Sequence, residues 1–81
     1  MTLDALKVAL LAAGAQAEST AAELHGELEH FLDRQIDSEA LDAALAELAA
    51  EGLVIVRDAR FVATESGCAL MLEHWEAYFP A

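Results

Sequence analysis

The side chains able to do chemistry are few: His25, His30, His74, Cys68 and a scatter of serines. Catalysis needs a nucleophile beside a base, or paired acids in a cleft, and no such spacing occurs here. His25 and His30 are five apart and diverge by well over a right angle around a helix, which is poor geometry for one metal ion. His25 and Glu29, at i and i+4, share a face and read as a surface pair. His74 beside Trp75 reads as a satisfied interface histidine rather than a catalytic one. Gly14, Gly26, Gly52 and Gly67 are isolated, so no glycine-rich phosphate loop is present. The sequence therefore implies no enzyme, no cofactor, no metal and no small-molecule substrate.

Charge narrows the field further. The 81 residues carry 15 carboxylates against 4 basic side chains, for a formal net charge of −11. The cations Lys7, Arg34, Arg57 and Arg60 do not cluster, and nucleic-acid binding needs clustered cations to displace counterions from phosphates. The hydrophobic fraction of 57% is inflated by alanine, which favours helix but adds little side-chain area to a core. A chain of this length forms one domain, 1–81, burying only about 60% of its unfolded surface. No apolar run is long enough for a membrane span, and the N-terminal stretch carries Asp4 and lacks a basic leader, so a cytoplasmic protein is expected. Cys68 has no internal partner and sits in an apolar helix pattern, which favours a buried core thiol over a redox sensor.

The elements follow from stop and start signals. Thr2 can cap a first helix with Leu3, Leu6, Leu10 and Ala13 on one stripe, Val8 and Leu11 widening it, and Gly14 as its stop. A helix so broadly apolar belongs at the centre of the fold or against a second chain. Ala15 to Ser19 reads as a linker, and Thr20-Ala21-Ala22-Glu23 as a capping box for a helix that buries Leu24, Leu28 and Phe31. Gly26 within it suggests close packing against a neighbour. After a turn at Asp33-Arg34-Gln35, Ile36 staples to Leu41 across an Asp37 cap, and Leu41, Ala44, Leu45 and Leu48 repeat at helical spacing until Gly52. Leu53 to Val56 and Phe61 to Ala63 make a hairpin across Arg57-Asp58-Ala59-Arg60. Thr64 then caps a C-terminal helix, Glu65 to Phe79, in which Cys68, Met71 and Leu72 serve the core.

The leucine-patterned helix ending in Glu51-Gly52-Leu53-Val54, the short hairpin, and the restart at Phe61-Val62-Ala63-Thr64-Glu65-Ser66-Gly67 resemble a winged helix-turn-helix domain of the PadR- and MarR-like regulators. The resemblance implies a mainly α fold with a small β-hairpin wing, in the order α-α-α-β-β-α, any first wing strand being reduced to a residue or two near Arg34 to Ile36. It also implies a DNA-reading helix at Ser38 to Glu51 and a phosphate-contacting wing at Arg57 and Arg60. That helix, however, presents Glu39, Asp42, Ala43, Ala46 and Glu47 outward, with no Arg, Lys, Asn or Gln able to read a base edge.

Protein contact is therefore the leading expectation: a small acidic adaptor, assembly subunit or accessory regulator that does not bind DNA directly. The alternatives are the DNA-binding transcriptional regulator that the resemblance implies, and an acidic mimic of DNA. Self-association is also expected, as a homodimer. Leu72, Trp75, Tyr78 and Phe79 would be its contact, because large aromatics at the end of a long helix overrun a small body and such residues are enriched at interface centres. The opposing possibility is that these aromatics fold back onto the first helix and close a monomeric core.

Overall fold

Asp4, rather than Thr2, opens the first helix in the computed structural model, which describes residues 2–80. Its carboxylate accepts the Lys7 amide N–H at 2.9 Å, and an anion suits the positive end of the helix. This helix, α1 (Ala5–Gln16), runs on through Gly14, which is not its stop. A Cβ at Gly14 would stand 2.9 Å from the backbone nitrogen of Ala63 and 3.1 Å from the Phe61 ring, so glycine lets α1 close on the sheet. Leu6, Val8, Ala9, Leu10 and Leu11 are all buried, because α1 packs on the other three helices and the sheet. Its apolar character on every side is that of a central helix.

After a gap of two residues, a short strand begins at Ser19, the last residue of the expected linker, and takes in the capping Thr20. Strand β1 (Ser19–Thr20) pairs antiparallel with a later strand, in the register Ser19↔Phe61 and Thr20↔Arg60. Residues Arg34 to Ile36, where a vestigial strand was expected, lie outside the sheet. The extended backbone that Thr20 needs as a helix cap also presents it to the sheet edge, so capping and pairing use the same conformation. Helix α2 (Ala21–Leu32) has the full capping box: Thr20 Oγ1 accepts from Glu23 N at 3.1 Å, while Glu23 Oε1 accepts from Thr20 N at 3.2 Å. Leu28 is buried and Leu24 half-buried, but Phe31 is 52% exposed and does not join the core as expected. A Cβ at Gly26 would meet open space, so no close packing explains that glycine.

Helix α3 (Ser38–Ala50) begins after Asp37 as expected, although the Asp37 side chain makes no capping hydrogen bond. Ile36 and Leu41, the two halves of the staple, are both buried. Its C-terminus is a Schellman motif. Leu53 N–H donates to Leu48 O at 2.9 Å and Gly52 N–H to Ala49 O at 3.0 Å, with Gly52 at φ +72°.

Strands β2 (Val54–Arg57) and β3 (Arg60–Ala63) form the hairpin, and the antiparallel sheet has the order β1-β3-β2. Asp58 and Ala59 both take positive φ, 52° and 66°, the mirror-image turn whose twist matches that of the strands. Alanine in this conformation costs about 1–2 kcal/mol. Helix α4 (Glu65–Tyr78) is capped by Thr64, whose hydroxyl accepts from Gly67 N at 3.1 Å and donates to Gly52 O at 2.8 Å. One side chain thus ties the end of α3 to the start of α4. A Cβ at Gly67 would fall 2.0 Å from Leu53 O, so only glycine fits there. Cys68 is half-buried rather than a fully enclosed core residue.

Candidate functional site

Leu41, Ala44 and Leu48 turn inward from α3, and the helical period therefore leaves Glu39, Asp42, Ala43, Ala46 and Glu47 exposed on its outer side. Asp42, Leu45 and Ala46 form one wall of a groove of about 430 Å³. Val56, Ala59 and Phe61 of the hairpin form another, and Thr20, Ala21 and Ala22 complete it. A second groove of about 350 Å³ shares Ala21, Ala22 and Asp42 and continues past His25, Ser38 and Leu41. Together they make a trough between the N-terminal half of α2, the outer side of α3 and the hairpin, floored mainly by alanine, leucine, valine and phenylalanine.

The charges around this face are partly spoken for. Glu47 pairs with the Nζ of Lys7, a lysine only 7% exposed that also donates to Thr2 O at 2.7 Å. The hydrogen bond from Lys7 and its positive charge hold the Glu47 carboxyl below its ordinary value. Glu47 faces outward as expected, but with a partner across the seam between α1 and α3. The signal was there: a lone cation inside an all-round apolar helix must find a counter-charge at a seam between elements. Glu23 is also held low, by the hydrogen bonds from Thr20 first and by Arg60 in addition. Arg57 and Arg60 lie directly opposite each other on the hairpin, and Arg60 Nη1 stands 3.6 Å from Glu23 Oε1.

The His25 and Glu29 pair has a structural task. Glu29 Oε2 accepts the Ile36 amide N–H at 2.9 Å, and His25 Nε2 hydrogen-bonds the Ile36 carbonyl, which can only accept, so the ring proton sits on Nε2. Both polar backbone groups of buried Ile36 are thereby satisfied by α2, which fixes the path into α3. Among the described residues no group of three or more His, Cys, Asp and Glu side chains could hold a metal ion.

A second surface lies at the far end of α4. Trp75 stacks on Phe31 with ring centroids 6.3 Å apart, and Phe79 packs on both, at 4.6 Å from Trp75 and 5.0 Å from Phe31. Trp75 and Phe79 thus meet Phe31, which projects outward at the C-terminal end of α2, in addition to the first helix expected as their counterpart, which Trp75 flanks at Ala12 and Gln16. Tyr78 is 37% exposed and its hydroxyl donates to Leu3 O at 2.9 Å, tying α4 to the segment before α1. Leu72 is 71% exposed. Shallow grooves of about 300 and 260 Å³ lie on either side of Trp75, against Ala12 and Gln16 of α1.

The chain matches no protein-family model, and no curated protein and no solved structure shows significant similarity to it. Among the described residues, no helix is long and apolar enough to cross a membrane.

Proposed function

We propose that this is a winged-helix domain, resembling that of PadR- and MarR-like regulators, that works by binding protein rather than DNA: a cytoplasmic adaptor, assembly subunit or accessory regulator. The fold reading is supported by β1, which lies between α1 and α2 and adds a third strand beside the hairpin that follows α3. The observation that carries the function is the makeup of α3, whose exposed side offers Glu39, Asp42 and Glu47 between alanines. Against a duplex each carboxylate facing a phosphate is repelled by about 1 kcal/mol or more even at an effective dielectric near 20. Of the cations that could oppose this, Lys7 is buried against Glu47 and Arg60 leans on Glu23. What repels phosphate suits a protein surface, since alanine leaves room for another chain's side chains.

The test is a fluorescence titration of labelled random duplex at low salt. No saturable binding is expected at physiological ionic strength. Micromolar binding that weakens steeply with added sodium chloride would overturn the proposal in favour of the DNA-binding regulator, because that slope counts neutralised phosphates.

A further inference from the structure

The trough beside α3 is open where a small domain would ordinarily close its surface. Val56, 49% exposed, and Ala46, on opposite walls, leave a depression of about 430 Å³ above the buried ring of Phe61. Small residues, Ala21, Ala22, Ala46 and Ala59, account for the unfilled space. Away from the hairpin the trough is bordered by carboxylates. Asp42 lines both halves, and Asp37 and Glu39 flank Ser38 at the far end. Arg57 and Arg60 stand at the hairpin end only, and Arg60 is within reach of Glu23.

We propose that this trough docks a basic segment of another protein, one that inserts a bulky apolar side chain such as leucine between Ala46 and Val56 and sets flanking lysines or arginines against the carboxylate rim. The inference rests on the protein-binding reading above and names the partner's chemistry. The sign of the rim decides the occupant. Nucleic acid and anionic lipid surfaces are repelled by it, and a neutral apolar ligand leaves its charges unused. A second copy of this chain has four basic side chains, with Lys7 paired to Glu47 and Arg60 beside Glu23, and so offers no cationic segment to set against these carboxylates; the trough is not where two copies meet.

The experiment follows amide signals of the isotopically labelled chain during titration with the synthetic peptide KKLLKKLLKK. Two control peptides are used, KKSSKKSSKK, which keeps the charge, and EELLEELLEE, which keeps the leucines. Saturable shifts of Ala22, Asp42, Ala46 and Val56 are expected with the first peptide alone, weakening as sodium chloride is raised. Ala46→Arg, at an exposed position where folding is checked by thermal melt, should weaken the affinity about tenfold or more by filling the groove with a like charge. Ala69→Arg, at an exposed position of α4, should leave it unchanged. Equal shifts with the serine peptide, shifts confined to Phe31, Leu72 and Trp75, or no saturable shift at all would each overturn the proposal. If that happens while the duplex titration stays negative, the protein-binding reading stands and this site alone is lost. A positive duplex titration removes both.

Discussion

Gly26 and Gly67 both lie inside helices, yet the same substitution should act on them with opposite sign. Nothing stands near the missing Cβ of Gly26, so Gly26→Ala should stabilise the fold by about 1 kcal/mol through helix propensity alone. Gly67→Ala would drive a methyl group into the Leu53 carbonyl, and overpacking of this kind costs about 3 kcal/mol or more. Urea denaturation of the two variants measures both. Titration gives a second handle. Glu23 and Glu47 have folded values below the ordinary carboxylate value of 4.5, so the stability they contribute is present above that pH and is lost as pH falls through their lowered values. The double variant Glu23→Gln with Glu47→Gln should accordingly lose less melting temperature on acidification than the wild type. The other carboxylates are common to both proteins, so their relieved repulsion cancels in the comparison. An equal or larger acid loss in the variant would mean that neither carboxylate is held by its partner.

Helix α4 is fastened at three points of different character. Thr64 and Gly67 set its first turn against the end of α3 and the start of β2, Met71 packs on the core, and Trp75 with Phe79 grips Phe31 of α2. The fastening consumes part of the aromatic surface and leaves Leu72 uncovered. We propose that a homodimer forms through this outer side of α4, with Leu72, Trp75, Tyr78 and Phe79 as its contact. Leu72→Arg is the sharper probe, since Tyr78 also serves the chain's own Leu3 and Trp75 its own Phe31. Sedimentation velocity should show wild type as a dimer at micromolar concentration and Leu72→Arg as a monomer with an unchanged melting temperature. A monomeric wild type would assign the aromatics to the chain's own packing alone.

The whole molecule carries its net charge of −11 on a body with a radius of gyration of 11.4 Å. Self-repulsion at this density acts over distances comparable to the Debye length, about 10 Å at 0.1 M salt. Sodium chloride should therefore raise the melting temperature between low and moderate concentration. A fall would mean that pairs such as Lys7 with Glu47 and Arg60 with Glu23 outweigh the general repulsion. The same charge density gives the chain a long-range preference for cationic partners.

Local signals determined much of this molecule. The Thr20 and Thr64 caps, the Gly52 stop, the inward row of Leu41, Ala44 and Leu48, and the hairpin were legible because each is fixed within one or two turns of chain by capping geometry or hydrophobic period. The exposure of Glu39, Asp42, Ala43 and Ala46 follows from that period as well. What could not be read was set by partners distant in sequence. Gly14 looked like a stop because its reason is the backbone of Ala63, and Ser19 looked like linker because its strand partner is Phe61. Phe31 was counted as core, since a helical stripe gives a direction but not where the neighbouring helix ends. The partner of Glu47 could not be read because it is Lys7, forty residues earlier in the sequence and brought beside it only when α1 packs on α3. Periodicity and caps are properties of a few adjacent residues, whereas close approach, charge pairing and grooves exist only once separate elements are brought together.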